Sequence, residues 1–317
     1  MTRIATLTLN PALDVSTRTE KVRPTHKLRC EAPRAEPGGG GINVARVVHA
    51  LDGDVTAVFP CGGATGATFE KLLRDEGVPI APVPIAGAMR ESFTVDETGS
   101  GQQYRFVLPG PTLAESELDA LLQKVTGLDP APGYIVASGS LPPGCDPSVF
   151  HKLCGLCGKA GTRLVIDTSG PALAALEGGC AWLIKPSLRE LQELVDRDLS
   201  SDAEQLAAAR ELRDRGFAEV VVVSLAERGA LLVAQGTELR MPAIEVPPGS
   251  AVGAGDSMVA GLTLALAADK SLEEVLLYGI ATGAAALLTP GTELTRREDV
   301  ERLYSAASSR GAAQNRS

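Results

Sequence analysis

The sequence predicts an α/β fold: a three-layer core around a mostly parallel sheet, with a small β-sheet lid. Two observations carry this. Short apolar runs alternate with helix-patterned segments almost throughout, the pattern of a parallel sheet covered by helices on both faces. Two stretches, about 12–37 and 81–109, are instead rich in Thr, Arg and Pro and fall where helices would be expected.

Taken in order, residues 3–9 read as a strand, and 12–37 as the first lid segment. A helix is expected over 42–51, a strand over 55–60 and a helix over 65–76. The second lid segment contains QQYRFVLPG, where Tyr104 and Phe106 point one way and Gln103, Arg105 and Val107 the other. Further strands are expected at 134–137, 163–166, 181–184 and 219–224, each beside a helical pattern. The expected organisation is a single domain over 1–305, with a frayed small-polar tail over 306–317. Sheets of this kind bind ligands beyond the carboxyl ends of their strands.

The bulk numbers narrow function before any motif does. A net charge of −9, from 30 basic and 39 acidic residues, offers no attraction to nucleic acid or to an anionic membrane. Aromatic residues make up 3%, too few for base-stacking platforms. MTRIATLTLN has one Arg and only a brief apolar run before Asn10 and Pro11, too short for a signal segment or a membrane span. A cytoplasmic chain is therefore expected. The cysteines at 30, 61, 145, 154, 157 and 180 read as reduced thiols. Cys154 and Cys157 share helical spacing with Phe150 and Leu153, the pattern of a core helix rather than a redox or zinc motif.

Five segments could do chemistry. GSAVGAGDSMVAG, residues 249–261, sets Asp256 directly behind Gly253, Ala254 and Gly255, then enters an apolar helix. Asp256 either caps that helix or stands beside bare amides that form an anion site, taking a proton from a hydroxyl while the amides receive negative charge. PGGGGINVAR, residues 37–46, is either a flexible hinge or a backbone cradle, with Asn43 offering a donor and an acceptor to hydroxyls. It lacks the Lys-Ser or Lys-Thr of a Walker loop and the full dinucleotide fingerprint. Asp14 in LNPALD is a turn residue or an acceptor for two sugar hydroxyls. Lys27, Arg29, Arg90 and Arg105 fall in the lid segments, as solvated charges or, together, as a phosphate pocket. In WLIKPSLREL, Lys185 ends a strand, Pro186 opens a helix and Glu190 stands in the next turn. That arrangement suits an exposed helix start, or a lysine at nucleotide phosphates with a glutamate acting through water on Mg²⁺. VVVSLAERGAL delivers Ser224 to a sheet end and Gly229 to the next strand.

Set side by side, these segments resemble the PfkB (ribokinase-like) family of sugar kinases. PGGGGINVAR and GAGDSMVAG match its two signatures; TLTLNPALD, KLRCEAP, FPCGGATG, QQYRFVLPG, SGSLPPG, LIKPSLREL and VVVSLAERGAL fall in family order, to about Tyr304. Within the family the chain most resembles the phosphosugar branch, and KLRC, EPGGGG and YRFVLPG draw it toward kinases of 6-phosphorylated fructose.

The resemblance implies an ATP- and Mg²⁺-dependent kinase acting on the C1 hydroxyl of fructose 6-phosphate. Tagatose 6-phosphate and fructose 1-phosphate are the alternative substrates, and a non-catalytic sensor is the remoter reading. It implies Asp256 as the base, with the amides of Ala254, Gly255 and Asp256 behind Gly253 stabilising charge. Asp14, Gly39, Gly40 and Asn43 would hold the sugar. Arg90 and Arg105 would hold its phosphate, with Lys27 or Arg29 reaching from a neighbouring subunit of a homodimer built through the lid. Lys185, Ser187, Ser224 and Gly229 would face the nucleotide, Ala286 and Thr289 would lie near the adenine, and Glu190 would serve the metal. Three positions depart from the family pattern. Ser187 stands where Asn is usual, and Ala226 where Gly is. Ser250-Ala251 replaces the usual Asp-Thr, which bears on a monovalent-cation site.

Overall fold

Buried strands and covering helices alternate from the first residues of the computed structural model, which describes residues 2–247, 249, 252–289 and 294–314. β1 (Ile4–Leu7) is followed by β2 (Ala12–Thr19), β3 (Arg34–Gly38), α1 (Gly40–Ala50), β4 (Val55–Cys61), α2 (Gly63–Asp75) and β5 (Ile80–Pro84). β6 (Arg90–Glu97) and β7 (Gln102–Val107) pair as a hairpin before α3 (Glu115–Thr126), β8 (Tyr134–Ser138), α4 (Val149–Ala160) and β9 (Arg163–Asp167). Next come α5 (Gly170–Ala174), β10 (Ala181–Ile184), α6 (Leu188–Val195), α7 (Asp202–Asp214) and β11 (Ala218–Ser224). β12 (Ala230–Ala234), β13 (Thr237–Met241), α8 (Ala254–Ala267), α9 (Leu272–Ala286) and α10 (Arg297–Gln314) follow.

The large sheet has the order β13-β12-β11-β10-β9-β8-β1-β4-β5. Its strands from β11 to β5 are parallel, and β12 and β13 close one edge antiparallel. Near-continuous apolar strands permit this, because both faces must be covered. Successive side chains leave a strand on opposite faces. In β11, Val220 and Val222 therefore join the core beneath α1, α8 and α9, while Val221 and Val223 join the core beneath α3, α4 and α7.

A second sheet, in the order β3-β2-β6-β7, stands apart as the lid. Asp14 lies opposite Glu36 on one side and Ser92 on the other, and Thr94 lies opposite Arg105.

Three expectations are revised. Residues 80–84 form β5 and pair with β4 in the large sheet, so the second lid segment begins nearer residue 90; Val83 in this strand is buried, which a lid strand would not require. Helix α10 runs on to Gln314, through most of the segment expected as a frayed tail; the tail's last residues, 315–317, lie outside the described residues. The cysteines are not all reduced: Cys154 on α4 is joined to Cys180 in the turn before β10. The fold brings together two thiols 26 residues apart, a proximity that spacing along the chain does not reveal. Cys157 is a free buried thiol within the core helix, as its spacing suggested. Among the described residues, no helix is long and apolar enough to cross a membrane.

Candidate active site

The carboxyl ends of the parallel strands collect most of the expected residues. β8 ends at Ser138 and β9 at Asp167, β10 leads to Lys185, and β11 ends at Ser224. Above them, between the body and the lid, opens a pocket of about 640 Å³. Asp14, Gly39, Gly40, Asn43, Arg90, Arg105, Gly253 and Asp256 all line it.

Close backbone approach explains the glycine run. A Cβ on Gly38 would sit 1.9 Å from Asp14 Oδ2, and one on Gly40 would sit 2.3 Å from Ser138 Oγ. Any side chain there would push the loop away from both the lid acid and the sheet. The loop then starts α1, which presents Asn43 one turn later.

Asp256 stands in the first turn of α8, with Gly253 as N-cap at φ 76° and no side-chain cap on the turn. Its Oδ2 accepts a 2.8 Å hydrogen bond from Asn43 Nδ2, so the carboxylate points across to α1 instead of capping its own helix. Burial, then the nearby Asp167, push its carboxyl up to about 7, against the Asn43 hydrogen bond and Lys185. A carboxylate tuned toward neutrality is suited to general-base work.

Lys185 is buried, 6% exposed, and its ammonium lies 3.3 Å from Asp167 Oδ1. Burial works to lower its proton affinity, but Asp167 beside it, with Glu190 and Asp256, outweighs that and the net direction is up. A Cβ built on Gly255 would lie 3.9 Å from Lys185 Nζ. The lysine charge and the uncapped start of α8 thus face the same small space, an arrangement that favours an anion.

In the lid, burial pushes the Asp14 carboxyl up while Arg90 and Arg105 pull it down. Arg105 is exposed along the lid face. Arg90 is differently placed: its guanidinium donates to the carbonyls of Asn10, Pro11 and Leu108. Lys27 and Arg29 are exposed in the loop between β2 and β3 and do not line the pocket of their own chain.

Among the residues expected to face a nucleotide, Ser187 and Ser224 form a parallel bridge, and Ser224 N–H donates to Pro186 O at 3.0 Å. Gly229, at φ 89°, leaves no room for a side chain, since a Cβ would meet Met241 O at 2.0 Å. Ala286 and Thr289 are both buried, and the Thr289 hydroxyl donates to Ala286 O. Pro186 does not open α6; Ser187 caps it, and Glu190 Oε2 accepts from both Ser187 N–H and Ser187 Oγ. The SLRE spacing is a capping-box signature that the sequence displayed. Ser250-Ala251 lie outside the described residues. Asp167 is the charged neighbour of Lys185 and Asp256 that motif reading passed over; its signal was an acid at the very end of an apolar run, in LVID.

Known proteins share this sequence and this fold. Residues 7–298 match the model of the pfkB family carbohydrate kinases. The chain belongs to that family. It is 50% identical over 305 residues to a Mycobacterium tuberculosis protein named ATP-dependent 6-phosphofructokinase isozyme 2, covering 96% of this chain and 90% of the relative. Phosphofructokinase-2 from Escherichia coli, solved in complex with fructose-6-phosphate, is 44% identical and superposes with a TM-score of 0.90 over 97% of this chain and 100% of that one. A tetrameric inhibited form of the same Escherichia coli protein superposes with the same score and coverage.

Proposed function

We propose that this pfkB-family kinase transfers the γ-phosphoryl group of ATP, with Mg²⁺, to the C1 hydroxyl of fructose 6-phosphate. One observation carries the reading: a proton-accepting Asp256, the uncapped start of α8 and the lid residues Asp14 and Arg105 all converge on the space between body and lid. The 6-phosphofructokinase relatives supply the substrate.

Asn43 holds the Asp256 carboxylate toward the sugar side, where Asp256 takes the C1 hydroxyl proton as that oxygen becomes the nucleophile. The amides of Ala254, Gly255 and Asp256, with Lys185, stabilise negative charge at the helix start. Asp14, Gly39, Gly40 and Asn43 orient the sugar, and Arg105 with Arg90 bears on its phosphate. Lys185, Ser187, Ser224 and Gly229 border the nucleotide, with Ala286 and Thr289 behind it. MgATP, when bound, supplies the phosphoryl group and the metal's charge. Among the described residues no group of three His, Cys, Asp or Glu could hold a metal. That suits Mg²⁺ carried on phosphates and water, with Glu190 in support, as this ion commonly is.

The lid leaves Phe93, Phe106, Val107 and Leu108 exposed. A homodimer that pairs two lids would cover these side chains, and a partner's Lys27 or Arg29 would then approach the phosphate. A cytoplasmic location suits the substrates, ATP and a phosphosugar.

The test is ADP release by purified protein with MgATP, comparing fructose 6-phosphate, tagatose 6-phosphate, fructose 1-phosphate and ribose by kcat/KM. Preference for fructose 6-phosphate is expected. Preference for another sugar moves the substrate assignment, and no turnover overturns the kinase reading.

A further inference from the structure

The lid joins the body by four passages of chain, at residues 8–11, 39, 85–89 and 108–114, and they meet around Asn10. Arg90, the first residue of β6, donates from Nη2 and Nε to Asn10 O at 2.9 and 3.3 Å, and from Nε to Pro11 O at 3.3 Å. Its Nη1 reaches Leu108 O at 3.2 Å, where β7 leaves the lid. One guanidinium therefore ties together three of the passages. The fourth passes close by, since a Cβ on Gly39 would fall 3.2 Å from Pro11 Cα.

Asn10 fastens this knot to the body. Its side chain is buried, 8% exposed, and Nδ2 donates to Ser140 Oγ and to Leu141 O, both at 3.2 Å. Those two acceptors belong to the loop after β8; Ser138 at the strand's end and Gly139 at the loop's start underlie Gly40 of the glycine run. Gly110 presses against the other side of the amide: a Cβ there would stand 2.1 Å from Asn10 Oδ1. A chain that turns within hydrogen-bonding reach of both a lid arginine and a body loop is placed to set the angle between the two layers.

We propose that Asn10 is a positioning residue which, through Arg90, latches the lid to the body and so sets where a sugar bound by Asp14 and Arg105 stands relative to Asp256. The inference rests on the kinase reading for its consequence in turnover, but not for the latch itself. Arg90 acquires a second task beyond the phosphate, because four of its hydrogen bonds go to backbone carbonyls at the hinge. Asn10 never touches the reacting atoms; it acts through the lid.

Two measurements on Asn10→Ala and Ser140→Ala separate this role from ordinary scaffolding. The first is amide hydrogen exchange without any ligand. Faster exchange is expected in β2 and β6, with α8 unchanged, and a smaller effect in Ser140→Ala, which removes one of the two acceptors. The second is steady-state kinetics. In Asn10→Ala, kcat with fructose 6-phosphate should fall roughly 10- to 100-fold, the scale of an ångström-sized misplacement, while KM for ATP stays within about twofold.

Unchanged lid exchange overturns the latch. So does acceleration spread evenly over α8 and the lid in both variants, which marks a contact that only stabilises the fold. If wild-type protein turns over none of the sugars, the kinase reading falls, and the exchange experiment still decides the latch.

Discussion

Strand β11 crosses the body with Val221, Val222 and Val223 wholly enclosed, whereas β7 in the lid leaves Phe106 54% and Val107 66% exposed. The body strands sit between two layers of helices and draw stability from both faces. The lid is one sheet thick and buries little of its own apolar surface, so its place depends on the passages that join it to the body and on whatever covers its outer side. The proposed site divides along the same line. Asp256, Asn43 and Lys185 stand on the enclosed body, where their mutual positions are held, and Asp14, Arg90 and Arg105 stand on the lid. The proposal thus puts proton transfer on the enclosed layer and recognition of the sugar's phosphate on the thinner one.

The sharpest test of that division is Asp256→Asn. Turnover should drop about 10²- to 10⁴-fold, the usual worth of a general base, while fructose 6-phosphate binding measured by calorimetry barely changes; near-wild-type turnover removes Asp256 from the mechanism. Arg105→Ala should do the converse. KM for the sugar phosphate is expected to rise roughly 10- to 100-fold, as loss of a charge-assisted hydrogen bond implies, with KM for ATP nearly unaltered. An unchanged sugar KM would return Arg105 to the surface.

The pH profile probes the body alone. Asp256 must be ionised to accept a proton, and its carboxyl is raised to about 7. The profile of kcat/KM should therefore bend near that pH and fall about tenfold per unit on the acid side. Asn43 lowers that proton affinity, so Asn43→Ala should carry the bend to higher pH. A flat profile between pH 5 and 8 would sink the assignment.

The smallest expected effect is on stability. The folded protein keeps the Asp256 proton up to about pH 7, whereas an unfolded carboxylate loses it near 4. Stability from this group is thus full at low pH and lost as pH rises through that window. Asp256→Asn, which never ionises, should be more stable than wild type at pH 8, where the wild-type carboxylate is charged and buried. The gain should vanish toward pH 4, as thermal melts at the two pH values would show.

Much of the body was legible because its signals are local. Apolar runs and helical spacings announce buried strands and their covering helices without knowledge of neighbours. The expected strands at 134–137, 163–166 and 181–184 lie within β8, β9 and β10. The lid was visible as two interruptions of that rhythm, but its second boundary was misplaced, since Ile80–Pro84 has the composition of either layer and only pairing with β4 assigns it. Glu190 shows a different limit. Its spacing from Ser187 fits a capping box and a metal-associated acid equally, and the hydrogen bonds show the cap.

The sequence by itself determined the α/β architecture, the glycine run, the Gly-Ala-Gly-Asp helix start and the separate lid, because each depends on residue type and short-range spacing. Only the tertiary structure decided how these parts act on one another. Asn43 reaches Asp256 across 213 residues, Asp167 meets Lys185 at the ends of adjacent strands, Arg90 turns to the hinge carbonyls, and Cys154 finds Cys180. Proton affinities and hydrogen-bond partners arise from burial and from groups far apart along the chain, so they come into being only when the sheet brings its strand ends together.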